Sequence, residues 1–188
     1  MPHVLGIARD RPEDVERLIR EGLDFDVLLT SAGASVGEHD HVRPALERLG
    51  VAMDFWRVAI RPGKPLAFGR RGATRVFALP GNPTSSLVTF ELFVRPALLR
   101  LVGRLSPLPV PVQARSGAEL KKNKGLAHFI RVVLSWREGE PWADPLPTQT
   151  SGAVRSAVTA THLLHFPIDA MSIQPGDPVE LLPVGWGP

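Results

Sequence analysis

Residues 105–112 read Leu-Ser-Pro-Leu-Pro-Val-Pro-Val, and this proline run constrains the fold more than any other segment. Each proline fixes φ and removes a backbone donor, so neither a helix nor a central strand can pass through, and the stretch is expected to be a stiff linker. The hydrophobic pattern changes across it. Upstream, apolar runs of strand length alternate with segments of helical period. Downstream, short β-like runs at 128–134, 163–166 and 179–182 are separated by Gly, Pro and polar residues. The expected organisation is an α/β domain over 1–104, a linker over 105–111 and a small all-β, barrel-like domain over 112–188.

The upstream part opens as a βαβ unit: an apolar run at 4–7, a helix, then a strand at 26–30. Asp10 is placed to cap the helix, Pro12 suits its first turn, and Glu13 stands at capping-box spacing. Val15, Leu18 and Ile19 share one face, and Gly22 can end the helix in the left-handed conformation. A continuous apolar strand after such a helix implies a mostly parallel sheet covered on both faces. A second helix runs from Val42 or Arg43 to Leu49, stopped by Gly50. Strands follow at 55–60, 66–69 and 75–79, the last two flanking a turn at 70–74. A longer helix begins at Asn82-Pro83 and carries Leu87, Phe90, Val94, Leu98 and Leu101 at helical spacing up to Gly103, with Pro96 expected to bend it or loosen a turn.

The chain has no cysteine, which removes disulfides, thiolate nucleophiles and Cys-based metal sites. No apolar run approaches the roughly 20 residues a membrane helix needs, and the first residues lack a basic-then-apolar leader, so a cytoplasmic protein is expected. The formal net charge is +3, which favours anionic partners. Because the basic residues are scattered, Tyr is absent and no nucleic-acid-binding motif is visible, a small oxyanionic ligand fits better than nucleic acid. The six histidines are dispersed, without zinc-ligand spacing.

Three loops follow apolar strands, and in a parallel sheet they gather at one rim. The first, Ser31-Ala32-Gly33-Ala34-Ser35-Val36-Gly37-Glu38-His39-Asp40, has small residues that let an oxyanion approach backbone N–H groups, and Glu38 and Asp40 can hold a cation. It could equally be a turn leading into the next helix. The second, Arg61-Pro62-Gly63-Lys64-Pro65, sets two cations where a phosphate or molybdate could meet them, or is simply a solvated turn. The third, Leu79-Pro80-Gly81-Asn82-Pro83, leads into a helix N-terminus and reads as an anion site or an ordinary cap.

Taken together, these segments resemble the SGG-x-S-V-G-x-x-D, PGKP and LPGNP elements of the MoeA and gephyrin E-domain family of molybdopterin molybdenumtransferases, and the resemblance extends over essentially the whole chain. Ala32 stands where that family commonly has glycine. The resemblance implies a MogA-like three-layer α/β domain, N-terminally truncated because the family enzymes carry two further domains and a Thr-Gly-Asp loop ahead of this portion. The implied substrates are adenylylated molybdopterin and molybdate, joined with release of AMP, with Mg2+ as the divalent cation. Asp40, Glu38 and Lys64 are then the catalytic set, with Asp40 and Glu38 also holding the metal. Ser31, Gly33, Ser35, Gly37, Arg61, Pro80, Gly81, Asn82 and Pro83 line the pterin and phosphate pocket. The family also implies a homodimer, or a separate chain supplying the N-terminal half, in which the β-domain lies beside a partner's active site. On that ground Lys121, Lys122, Lys124 and Arg131, with Ser151-Gly152 and Arg155-Ser156, are further ligand contacts or else a solvated charged surface. The alternative function is a non-catalytic molybdopterin-binding or scaffold module.

Overall fold

The computed structural model describes residues 1–32 and 41–186. In chain order the elements are α1 (Pro12–Gly22), β1 (Val27–Ser31), α2 (Val42–Arg48), β2 (Ala52–Phe55), β3 (Ile60–Arg61), β4 (Ala67–Arg71), β5 (Thr74–Leu79), α3 (Pro83–Thr89), a π-helical turn (Phe90–Val94) and α4 (Arg95–Leu101). There follow β6 (Val112–Ser116), β7 (Leu120–Lys121), β8 (Ala127–Arg137), β9 (Glu140–Pro145), α5 (Val154–Thr159), β10 (His162–Phe166), β11 (Ser172–Ile173) and β12 (Pro178–Pro183). They form two compact units, Met1–Val58 with Gly63–Gly81, and Ala59–Pro62 with the chain from Asn82 onward. No helix among the described residues is long and apolar enough to cross a membrane.

In the first unit the sheet order is β1-β5-β4-β2. The parallel pairing is β1 with β5, from Val27 opposite Arg75 to Ser31 opposite Leu79. The pairings of β4 with β5 and of β2 with β4 are antiparallel. Chain length explains the difference: Gly72 and Ala73 alone join β4 to β5, whereas a parallel crossover needs a dozen residues or more. Val15, Ile19 and Leu23 pack with Ala45 and Leu46 of α2 against Leu28, Val51 and Val76, so both helices share one core. On β5, Phe77 follows Val76 and therefore points to the other face, where its ring lies 4.7 Å from that of Phe68.

Several local expectations change. Residues 4–7 form no strand; Gly6 has φ 105, which interrupts an extended run, and Val4 and Ile7 are exposed. The residue preceding α1 is Arg11 rather than Asp10, and no side chain caps the helix. Gly22 lies inside α1, followed by Leu23 at φ −75. Its value is steric, because a Cβ there would collide with Leu28 and come within 3.2 Å of Leu5. The expected strand at 55–60 is instead two pieces, β2 and β3, and β3 pairs with β8.

In the second unit β8, β9, β6, β12 and β10 close on themselves, since β10 pairs with both β12 and β8. This is a five-stranded barrel, filled by Ala114, Val132, Ala143, Leu164, Phe166, Ile173, Val179 and Leu181. Closure leaves its strands no open edge except where β3 adds in parallel to the start of β8. The helix expected from Asn82 to Gly103 is present in three pieces, with the π turn directly ahead of Pro96. Pro96 has no N–H for the carbonyl four residues back, and the wider turn accommodates that loss. Glu91 in this turn is buried; it pairs with Arg95 and accepts from the Gly185 backbone N–H at 3.1 Å.

Candidate functional site

Because β1 and β5 are parallel neighbours, both strands end at the same edge of the sheet. Ser31, exposed at the end of β1, is opposite Leu79, and the Ala32 N–H donates to the Leu79 carbonyl at 3.2 Å. One residue beyond Pro80, a Cβ on Gly81 would lie 3.0 Å from the Ala32 Cβ. The bases of the first and third loops are thus in direct contact. Ala32 has φ 78, the left-handed region in which a side chain is strained and glycine is not. Gly33, Ser35, Gly37, Glu38 and Asp40 lie outside the described residues.

Lys64 also belongs to the first unit, at an exposed turn position. Its backbone is fixed: the Lys64 carbonyl accepts from the Val58 N–H at 3.0 Å, and the Gly63 carbonyl accepts from Leu66 at 3.2 Å. The turn therefore presents the ammonium group from a braced backbone. Pro80 is buried, whereas Gly81, Asn82 and Pro83 are exposed, so a ligand has access to the latter three and Pro80 acts through packing.

In the second unit Asn82 precedes α3 with extended φ/ψ, and Pro83 takes the first turn as expected. The Asn82 side chain does not cap the helix. Its amide donates instead to Ser151 Oγ at 2.8 Å, joining the residue ahead of α3 to the 146–156 loop. That loop is organised by Arg131, which the basic sequence context placed on a solvated surface or in ligand contact but which is fully buried. Arg131 Nε donates to Ser156 Oγ at 2.9 Å, and Nη2 donates to the carbonyls of Thr148 and Thr150 at 3.0 and 3.1 Å. Gln149 completes the arrangement by bonding both backbone groups of Arg131, at 3.0 and 2.9 Å. Arg131 Nη1 is buried without a hydrogen-bond partner among the described residues, and burial lowers the guanidinium pKa from its ordinary value. The sequence signal for this role is a lone cation inside the apolar run of β8, a place where charge is almost never buried without a purpose.

Arg61, Lys121, Lys122, Lys124 and His128 line an open cleft of about 830 Å3 in the second unit. Burial, then the charges of Arg61 and Lys122, hold the His128 imidazole below its usual pKa. Among the described residues no group of three His, Asp or Glu is placed to hold a metal. The described site residues offer exposed cations, Arg61 and Lys64, and exposed backbone at Gly81 and Asn82.

An α/β unit whose parallel strands β1 and β5 end side by side, joined in the chain to a small closed barrel, defines a class of two-unit α/β and β-barrel proteins. The comparisons specify the family. Residues 2–100 match the family described as "Probable molybdopterin binding domain", and residues 113–184 match "MoeA C-terminal region (domain IV)". The chain belongs to the MoeA-type molybdopterin-binding family. It is similar to the molybdopterin molybdenumtransferase of Synechococcus elongatus, 40% identical over 90% of this chain and 42% of that protein. The Haemophilus influenzae molybdopterin molybdenumtransferase is 39% identical over 68% of this chain and 32% of that protein. Among solved structures, the molybdopterin biosynthesis MoeA protein from Pyrococcus horikosii superposes with a TM-score of 0.78 at 33% identity, covering 95% of this chain and 42% of that one. The chain thus spans between about a third and two fifths of the length of these fuller relatives.

Proposed function

We propose that this chain is the molybdopterin-binding and C-terminal part of a molybdopterin molybdenumtransferase, which inserts molybdate into adenylylated molybdopterin with release of AMP in molybdenum cofactor biosynthesis. The observation that carries the reading is the contact between the first and third loop bases, Ala32 against Leu79 and Gly81. It builds one rim from two of the sequence elements that the family resemblance singles out. On this reading Ser31, Gly33, Ser35 and Gly37 bind the pterin phosphate through small side chains and N–H groups, and Gly81, Asn82 and Pro83 contribute exposed lining, with Pro80 buried. Lys64 and Arg61 neutralise oxyanion charge. Such fixed donors and cations favour a reaction that brings two anions together, because they offset the repulsion without having to reorganise.

Asp40 is proposed as the catalytic carboxylate with Glu38 as its support. Both offer the hard oxygen ligands that Mg2+ takes and would hold that ion. The full reaction also calls for the portion of the relatives that precedes this one, supplied in the same chain or by another, and a homodimer is the expected assembly in a cytoplasmic setting. The test is conversion of adenylylated molybdopterin to molybdenum cofactor by the purified chain supplemented with the N-terminal half of a relative, followed by AMP release. Turnover that depends on molybdate and magnesium and is crippled by Asp40→Asn is expected. Full activity of Asp40→Asn would refute its assignment, and pterin binding without turnover would make the chain a binding module.

A further inference from the structure

We infer that Trp186 is a positioning residue for the Asn82 side chain, which it holds in place through α5. Three successive residues after β12 tie down three elements. The Val184 N–H donates to the Thr161 carbonyl, just ahead of β10, at 3.2 Å. The Gly185 N–H donates to Glu91 Oε1 in the π turn at 3.1 Å, and Trp186 Nε1 donates to the Ala157 carbonyl of α5 at 2.9 Å. The segment runs close over buried Glu91 and its partner Arg95, since a Cβ on Gly185 would lie 3.0 Å from Arg95 Cζ. The Ala157 carbonyl already accepts from the Ala160 N–H at 3.1 Å, so α5 does not need the indole to satisfy it. The indole bond is therefore a tether between elements.

α5 depends on such tethers. Its six residues fall well short of the roughly 12–15 at which a helix holds itself in water. Its first turn is fixed through Ser156, whose hydroxyl donates to the Ala153 carbonyl at 2.9 Å and accepts from Arg131, and its last turn is held by Trp186. α5 packs against α3, and the loop leading into it carries Ser151, the acceptor for the Asn82 amide. α5 and its approach are thus attached to the long helix at two places, at Asn82 and, by way of Gly185 and Trp186, at Glu91, about 13 Å further along the axis. Two attachments fix an orientation where one allows a pivot. Releasing the Trp186 end lets α5 turn about its Arg131-held first turn. The displacement falls on the weaker bond, because exposed Asn82 can exchange Ser151 for water at little cost. The inference goes beyond the transferase reading and stands on the second unit alone.

NMR on the isotope-labelled 188-residue chain tests it. In the wild type the Trp186 indole proton is expected to exchange slowly and to show a through-space contact with Ala157. Ser151→Ala marks where the Asn82 side-chain amide resonates once its acceptor is gone. Trp186→Phe keeps a ring and removes the donor. It is expected to move the Asn82 amide signals toward the Ser151→Ala position and to speed exchange at the Ala157 and Ala160 amides about fivefold, the effect of one lost hydrogen bond. The barrel strands are expected to keep wild-type protection. An indole proton without the Ala157 contact, or Asn82 signals unmoved in Trp186→Phe, overturns the inference. Equal loss of protection in α5 and the barrel also overturns it, since Trp186 would then be merely structural. A moved Asn82 in a chain that never inserts molybdate would uphold the positioning and refute the transferase reading, and turnover with an unmoved Asn82 would do the opposite.

Discussion

Replacing Arg131 by methionine isolates the energetics of the 146–156 loop. The side chain is buried completely and makes three guanidinium hydrogen bonds, to Ser156 Oγ, Thr148 O and Thr150 O. Bonds from a charged donor contribute about 1.5–3 kcal/mol each, a gross loss of roughly 5–9 kcal/mol on the same scale. Two effects offset it. No carboxylate pairs with Arg131 among the described residues, so removing the charge recovers a desolvation penalty of several kcal/mol, and methionine keeps apolar volume in the site. The Thr148 and Thr150 positions are exposed, so their carbonyls can turn to water once released.

The expected net destabilisation is about 2–4 kcal/mol, which for a chain of this size lowers the melting temperature by roughly 10 °C. Arg131→Lys, which keeps the charge but loses the fork, should fall between wild type and Met. Calorimetry gives the global term and amide hydrogen exchange gives the local one, with protection expected to collapse across 148–156 before the barrel strands change. A Met variant within about 1 kcal/mol of wild type with the loop still protected would refute the reasoning.

Ala32→Gly removes the left-handed strain of about 1–2 kcal/mol against an unfolded-state entropy cost of about 0.4–1 kcal/mol; chemical denaturation should show a protein equally stable or slightly more so. Gly81→Ala should then cost less in the Ala32→Gly background than in wild type, a non-additivity that a double-mutant cycle measures. Gly69→Ala should destabilise by about 2–3 kcal/mol, because its Cβ would sit 2.7 Å from the Ala52 carbonyl oxygen and 3.0 Å from Met53 Cα; loss of exchange protection in β2 and β4 is the readout. Burial and neighbouring cations depress the pKa of His128, and burial that of His162, from 6.5. The unfolded chain therefore binds more protons as the pH falls below 6.5, so this stability is complete above that value and declines below it until the folded-state values are passed. Thermal melts between roughly pH 7.5 and pH 5 should show the decline, and His162→Gln should shrink it.

What the sequence made legible was local. The α1, α2 and α3–α4 segments, β5 and the core strands of the barrel follow from period and punctuation, and Gly50 and Gly103 end their helices with φ 73 and 87. Which strands would pair was less legible. The apolar run at 4–7 has strand composition, yet nothing in its sequence says that Gly6 takes a positive φ. Residues 55–60 read as one strand, but β2 and β3 belong to different units, a partition made by long-range pairing that no window of sequence contains. The PGKP and LPGNP words located two loops correctly in the chain without revealing that Pro80 is buried or that the Asn82 amide is already engaged by Ser151.

The Asn82–Ser151 bond changes how the LPGNP element should be understood. Asn82 would ordinarily be assigned to helix capping, and a capping side chain stabilises only its own helix. Here the amide reaches 69 positions along the chain to Ser151, in a loop whose carbonyls at 148 and 150 are gripped by Arg131. The orientation of Asn82 thus depends on a buried cation of the barrel, several bonds away. Substitution of Arg131 should disturb the setting of the Asn82 side chain without removing any atom from it, and Asn82→Ala should leave the loop organised by Arg131 and Gln149 in place. That asymmetry follows from burial: Arg131 has no solvent alternative for its donors, whereas Asn82, being exposed, can exchange Ser151 for water at little cost.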